Sequence, residues 1–143
     1  MMKNNMKKVR ASQRDDQGAS VLEFGLVVLV FYAFVFGVMD FGRALYSYHF
    51  VSHAAREATR YAIVHGAQSS DPATANEIAQ YVKNITPDGI DPNAITVSTT
   101  WSPDNTPGSN VRIQVQDNFH FVMPLLLTTQ MNLSSASQMV ISN

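Results

Sequence analysis

The feature that most constrains this chain is an uninterrupted apolar segment, Ala19–Met39, in which Glu23 is the only charged side chain. At 1.5 Å rise per residue, its 21 residues form a helix of about 31 Å, which matches the hydrocarbon thickness of a bilayer. The segment is therefore long enough and apolar enough to span a membrane as one helix.

Glu23 is the exception within this segment. An acidic side chain near the middle of a membrane-spanning helix costs about 2.5 to 3.5 kcal/mol on insertion scales, and Glu23, one turn from the start, costs less. Two interpretations remain open: the carboxylate lies at the level of the lipid headgroups, or an amine nearby in the chain or on a neighbouring subunit neutralises it. We favour the second, because an ionisable side chain within a span is by default a candidate functional group.

The residues before the apolar segment form a short basic leader, residues 1–18. It contains half of the ten lysines and arginines, namely Lys3, Lys7, Lys8, Arg10 and Arg14. Without the leader, five basic and nine acidic residues remain, a net charge of −4, and nothing favours nucleic acid as a partner. Positive charge beside a first span holds that end in the cytoplasm, so we expect the residues after the span to lie on the other side.

Two other types of N-terminal segment share this pattern. A cleaved secretory signal also has a basic and an apolar region, but Val38–Arg43, after the apolar segment, lacks the small-x-small pattern of a signal peptidase site. We therefore expect the span to persist in the mature protein. An uncleaved signal anchor fits every feature except one, the glycine Gly18 that lies five residues before Glu23. It remains the principal alternative.

The helical pattern continues beyond the apolar segment. Apolar residues recur at spacings of three and four, which predicts one buried helix face made of Phe41, Ala44, Tyr48, Val51, Ala55, Ala58 and Ala62. The opposite face is predicted to be polar and basic, with Tyr46, His49, His53, Arg56 and Arg60. Gly66 and the polar residues after it indicate a stop, so we expect one helix from Ala19 to His65.

The rest of the chain predicts a second helix and a small antiparallel sheet. Thr74 and Glu77 have the spacing of a capping box. After two turns, alternating apolar and polar residues predict three strands, namely Ile95–Ser102, Val111–Phe121 and Leu133–Ile141. Asp117 interrupts the apolar side of the second strand and is interpreted as a bulge, and Pro124 with the three leucines after it as a connection. The predicted fold class is α+β: a long N-terminal transmembrane and amphipathic helix, a second short helix, and about three antiparallel strands.

The position of Glu23 relative to Gly18 resembles the processing site of a type IV prepilin. Counted from Ala19, the acid is residue five, about one helical turn from the amino terminus that a cut between Gly18 and Ala19 would create. The resemblance implies that the leader is removed and that, within an assembly, the ammonium group of Ala19 pairs with a neighbour's Glu23.

Two motifs further along resemble one particular pilin-like family. The runs FGRALY at 41–46 and AAREATRYA at 54–62 are similar to the signature of the TadE-like family, which are pilin-like proteins of the tight adherence (Flp) pilus machinery. The resemblance covers roughly residues 18–62. The chain departs from the family at Ala58 and Thr59, where members usually have Gly-Ala. It also lacks the proline that many members have within the apolar segment.

This resemblance implies a bacterial minor pilin or pseudopilin of a type IVb, Flp-type pilus, with a role in pilus biogenesis and surface adhesion. Its parts would be a cytoplasmic leader (1–18), a transmembrane helix (19–40) and a pilin-like head outside the inner membrane (41–143) that includes the continuation of the first helix. The implied partners are prepilin peptidase, other pilin and pilin-like subunits, the inner-membrane assembly platform and membrane lipid. The charged residues of the motif are Arg43, Arg56, Glu57 and Arg60.

The sequence offers little for catalysis or metal binding. His49 and His53 have the spacing of two zinc ligands on a helix, but Arg56 and Arg60 would place positive charge beside a cation, so we expect a solvated or subunit-facing stripe. There is no cysteine, no G-x-S-x-G and no glycine-rich phosphate loop. We expect no catalytic residue, no cofactor and no metal. Besides a pilin, two alternatives remain: an uncleaved, envelope-anchored binding or assembly-platform protein, and a membrane-tethered enzyme using His49, His53 or His120.

Overall fold

The structure is a computed structural model that describes the backbone of residues 3–123 and 129–142 and the side chains from Gly18 onward. The described elements are, in chain order, α1 (Lys3–Val64), α2 (Ala75–Asn84), β1 (Ile95–Ser102), β2 (Asn110–His120) and β3 (Gln130–Val140). The strands form one antiparallel sheet in the order β1-β2-β3. The predicted α+β class is therefore confirmed. By its internal contacts the chain divides into two compact units, Met1–Met39 and Asp40–Asn143.

Helix α1 begins well before the predicted start. It covers Lys3–Val64, so the prediction that the helix begins at Ala19 is wrong. No proline interrupts the residues before Gly18, and one glycine within a helix costs only about 1 kcal/mol relative to alanine, so the helical backbone continues through this position. At its other end α1 stops one residue before the predicted His65, whose Nδ1 lies 2.9 Å from the carbonyl oxygen of Tyr61.

The part of α1 in the second unit packs its small residues into the core. Ala55, Ala58 and Ala62 are buried as predicted, and the absence of long side chains there lets the helix backbone approach the sheet. Phe41 and Tyr48 were predicted on the same face, but they are 70% and 49% exposed, so the prediction is wrong for these two. They lie at the border of the buried face, which is centred on a different line of α1 residues, including Ser47, Val51, Ala54 and Ala58.

Helix α2 begins with the predicted capping box. The N–H of Thr74 donates to Oε2 of Glu77 at 2.7 Å, and the N–H of Glu77 donates to Oγ1 of Thr74 at 3.3 Å. These bonds satisfy two of the donors that a helix start leaves without intrahelical partners. The helix then turns Ile78 and Val82 into the core, which holds it against β1.

The sheet confirms the three predicted strands with small changes at their ends. Strand β1 has the predicted bounds, β2 begins one residue earlier, and β3 begins three residues earlier. The predicted connection at Pro124 and the leucines after it lies outside the described residues. Strand β2 lies in the middle and contributes Val111, Ile113 and Val115, all fully buried.

Asp117 does not mark a bulge, so that prediction is wrong. Its Cα pairs with that of Ile95 on β1 and with that of Leu133 on β3, in a register that continues unbroken on both sides. Because successive side chains of a strand alternate between faces, Asp117 shares the buried face of β2 with Val115 and Phe119. It is only 3% exposed.

Candidate functional site

The candidate functional site is the first unit, whose helix carries apolar side chains that the described residues leave uncovered. Leu22, Phe24 and Phe34 are each more than two-thirds exposed. The helical stretch Gly18–Val64 contains an 18-residue window of mean hydropathy 2.4, and none of that window is buried. By length and composition this helix is able to cross a membrane, and it fits membrane anchoring.

Gly18 lies within α1, and the described residues give it no steric reason to be glycine. A Cβ placed on Gly18 meets none of their atoms within 4 Å. Glycine within a helix is less favourable than alanine by about 1 kcal/mol, so the helix would be more stable with another residue. The following residue, Ala19, is exposed as well. Gly25, Gly37 and Gly42 of α1 have equally open surroundings, so the fold does not distinguish Gly18 from them.

The carboxylate of Glu23 is exposed on the same apolar helix. The ion pairs among described side chains join Arg43 to Asp40 and Arg60 to Glu57, and Glu23 takes part in neither. Its carboxylate is therefore open to a positive group presented by another molecule.

Asp40 has a structural role that its local sequence does not reveal. It opens the second unit, is only 3% exposed, and its carboxylate accepts hydrogen bonds from two consecutive backbone N–H groups after β2. Val122 donates at 2.9 and 3.0 Å and Met123 at 2.8 Å. We call this arrangement, with Arg43, the Asp40 clasp. A lone acid directly after the apolar segment was the available signal, but nothing in the sequence indicated partners 82 and 83 residues away.

Arg43, a predicted motif residue, completes the clasp. Its Nη1 donates to Oδ1 of Asp40 at 3.0 Å and to the carbonyl oxygen of His120 at 3.3 Å. Its guanidinium carbon also lies 5.1 Å from the centre of the Phe119 ring, within the range of a cation–π contact. Arg43 therefore ties one turn of α1 to the end of β2 through two contacts, while its ion pair with Asp40 stays within α1.

The other motif residues do not join this cluster. Arg56 donates from Nη2 to the hydroxyl of Ser52 at 2.9 Å and from Nε to the Ser52 carbonyl at 3.2 Å. Glu57 and Arg60 form an ion pair of 3.5 Å on the solvent side of α1, where such pairs contribute about 0.2 to 1 kcal/mol. The structure thus brings Glu57 and Arg60 together and gives Arg56 a different partner.

Thr59, where the motif departs from its usual form, lies on α1 and is fully buried where the helix packs against β3. Its Oγ1 donates to the carbonyl oxygen of Ala55 at 2.7 Å and lies 3.5 Å from the carbonyl oxygen of Ser137. The hydroxyl is therefore accommodated by a bond within the helix, and the larger side chain fills space against the strand.

The histidines considered for metal binding, His49 and His53, and the third histidine considered for catalysis, His120, lie on the surface. His49, His53 and His120 are all exposed, and the polar and basic face predicted for α1 is exposed throughout. Among the side chains that the structure describes, no three of the types His, Cys, Asp and Glu lie close enough together to hold a metal ion.

Comparison with known proteins agrees with the motifs. Residues 18–60 match the family model described as TadE-like protein, a range that contains Gly18, Glu23, Arg43 and the Arg56–Arg60 region. No curated protein and no solved structure matches the chain. The resemblance is therefore confirmed for this range: residues 18–60 are similar to the TadE-like family, which supports a pilin-like protein associated with a tight adherence pilus.

Proposed function

We propose that this chain is a minor pilin or pseudopilin of a type IVb, Flp-type pilus, made as a membrane-anchored precursor and cut between Gly18 and Ala19 by a prepilin peptidase. The observation that carries the proposal is the position of Gly18 five residues before Glu23, with both residues exposed on an uncovered apolar helix. The proposed role is structural, and no side chain is assigned to catalysis.

Before cleavage, the leader and the apolar helix act together to hold the precursor in the inner membrane. The five basic residues of the leader keep that end in the cytoplasm, and we place residues 41–143 on the opposite side. The exposed apolar side chains favour lipid over water by about 25 cal/mol per Å² of buried apolar surface. Extraction from the membrane is therefore opposed until another apolar surface replaces the lipid.

Cleavage changes the charge of the helix end. It removes the five basic residues of the leader and creates an ammonium group on Ala19, so moving the N-terminus out of the cytoplasm becomes less costly. In an assembly, Glu23 of one subunit neutralises Ala19 of the next, and their apolar side chains pack against each other in place of lipid. A subunit out of register leaves a buried carboxylate without a partner, and this penalty selects the correct register.

The partners in this scheme are the prepilin peptidase, other pilin and pilin-like subunits and the inner-membrane assembly platform. The exposed polar and basic face of α1, which includes His49, His53 and Arg56, is a surface through which the head meets its neighbours. Incorporation into a fibre would then place this head on the outside of the cell, where pilus-mediated adhesion takes place.

Substitution of two glycines of α1 tests the cleavage step with a matched control. Gly18 and Gly25 both lie in the helix, and at neither does an added Cβ meet a described atom within 4 Å. We expect Gly18→Leu to leave a slower-migrating, uncut protein in membranes, because a peptidase must fit the residue before the scissile bond. Gly25→Leu should be cut normally. Normal cutting of both variants would show that Gly18 does not direct cleavage and would contradict the proposal, and an unmodified chain that is never cut would favour an uncleaved envelope anchor.

A further inference from the structure

A cavity of about 300 Å³ lies in the second unit between α1, the turn before β1 and the end of β2. This volume is at the lower end of the range of about 300 to 1,000 Å³ that small-molecule sites occupy. Its lining includes Ser47 of α1 and Asp117 of β2, which are only 5% and 3% exposed. The hydrogen bonds and ion pairs of the described residues include none made by either side chain.

Asp117 is 3% exposed and borders the cavity, so its carboxylate loses most of its contact with bulk water, and a charged partner would offset this loss of hydration. Asp117 nevertheless occupies a regular, fully paired position in the central strand, where an apolar residue would fit the pattern of Val115 and Phe119. The acid at this position therefore points to a ligand that provides the missing positive charge.

The remaining charges around the cavity leave it acidic. Arg43 lines it, but its guanidinium is engaged by Asp40, the His120 carbonyl and the Phe119 ring. Asp91 lies at the cavity as well and is exposed, so it adds a second negative charge near the entrance. Arg43 is the one lysine or arginine among the described residues that line the cavity, and the carboxylate of Asp40 already balances its charge.

We propose that this cavity binds an ammonium group carried on an alkyl chain, with Asp117 as its counter-ion. An ammonium group has three donors and no acceptor, which suits a carboxylate together with the Ser47 hydroxyl. The side chains of Ile90, Ala94 and Phe119 line the cavity beside these polar groups and offer apolar surface to the alkyl chain. Two sources present this chemistry: the side chain of a lysine in another protein and a free small amine.

Titration of the full-length chain in detergent micelles, followed by backbone amide chemical shifts, tests the site. The probes are Nα-acetyl-lysine-N-methylamide, n-butylammonium chloride and the uncharged Nα-acetyl-norleucine-N-methylamide. We expect both amines to shift the amides of Ala94, Asn118 and Phe119 saturably, and the norleucine compound to leave them unchanged. Tighter binding of the capped lysine assigns the site to a protein side chain, and tighter binding of butylammonium assigns it to a free amine.

A pair of charge-removing variants locates the counter-ion. Asp117→Asn should weaken binding of the amine about tenfold or more, because a charge-assisted hydrogen bond is lost. Asp71→Asn removes the same charge from an exposed loop and should leave binding unchanged. Equal responses to lysine and norleucine compounds, or equal binding by both variants, would overturn the proposal. The norleucine comparison uses the unmodified chain, so it decides the question even if the Asp117 variant fails to fold.

Discussion

The carboxylate of Asp40 accepts hydrogen bonds from the backbone N–H of Val122 at 2.9 Å to one oxygen and 3.0 Å to the other. This contact joins the first residue of the second unit to the segment that leaves the central strand. The adjacent N–H of Met123 and the guanidinium of Arg43 also donate hydrogen bonds to the same carboxylate. A single acid thus ties the start of the head's helix to its sheet.

Removal of the Asp40 carboxylate should destabilise the head more than removal of its charged partner. Asp40→Ala leaves two backbone N–H groups without their acceptor, and we expect a loss of about 1 to 3 kcal/mol in the free energy of unfolding. Arg43→Ala removes a side chain that is 43% exposed, so its loss should stay near or below about 1 kcal/mol. Urea unfolding followed by the fluorescence of Trp101, the one tryptophan, measures both.

The control for the clasp is Asp88→Ala, which removes an exposed acid from a turn. It should unfold at the same urea concentration as the unmodified chain. If Asp40→Ala unfolds like this control, the clasp does not stabilise the head.

The contact of α1 with the sheet depends on the small size of Ala58. This residue is fully buried, and a larger side chain would force the helix away from the strands at a cost of about 1 to 3 kcal/mol. We therefore expect Ala58→Leu to lower the melting temperature of the head. Ala75→Leu, at an exposed position of α2, adds the same atoms and should change it little. Equal melting temperatures for the two variants would show that α1 does not pack closely at this point.

The head should lose stability in acid through Glu77. The N–H and then the hydroxyl of Thr74 donate hydrogen bonds to its carboxylate and hold the pKa of Glu77 below its ordinary value. The stabilisation from this group is therefore complete above the ordinary glutamate pKa and is lost as the pH falls through the lower pKa of the folded state. Glu77→Gln should flatten the decline of the urea midpoint between about pH 5 and pH 3.

Asp104 contributes an acid-sensitive share of its own. The hydroxyl and the backbone N–H of Thr106, together with the hydroxyl of Ser109, donate hydrogen bonds to the Asp104 carboxylate and lower the pKa of Asp104. The urea midpoint of the Glu77→Gln variant should therefore still fall in acid, though less than that of the unmodified chain. A further Asp104→Asn change should reduce this fall again. Parallel pH profiles for the unmodified and Glu77→Gln chains would contradict the role given to the capping box.

Glu23 should be needed for assembly and not for cleavage. Its side chain is exposed at the fifth residue of the proposed mature chain, and the proposed assembly pairs it with the ammonium group of a neighbour. We expect Glu23→Gln, which keeps the shape and removes the charge, to be cut normally but depleted from purified pili. Glu23→Asp keeps the charge and should retain more incorporation. Normal amounts of Glu23→Gln in the fibre would exclude the pairing role.

The elements that were predicted well depend on interactions between residues close in sequence. The capping box at Thr74 and Glu77 joins residues three apart, and the alternation that defines β1 repeats every second residue. Helix α1 was predicted with the wrong start. Phe41 and Tyr48 were also placed on the wrong side of its face, because residue spacing alone defines a helix face only to within a fraction of a turn. Which side of that face meets the sheet depends on the sheet itself.

The clasp and the cavity could not be predicted because they join distant parts of the chain. The sequence shows that Asp40 is acidic and follows an apolar segment, but its partners at Val122 and Met123 use backbone groups, which every residue has. Asp117 breaks an apolar pattern, and a bulge was a reasonable local explanation. The pairing with Ile95 and Leu133 shows that the strand is regular, and the packing of α1 and the turn before β1 shows that the acid lines a cavity.

The mass of the N-terminal peptide of the protein recovered from membranes and from pili tests the proposed processing most directly. Cleavage after Gly18 predicts a peptide that begins at Ala19, with or without a methyl group on its amine, in the pilus fraction. A peptide that begins upstream of Gly18, in cells that assemble normal pili, would contradict cleavage and with it the pairing of Ala19 and Glu23.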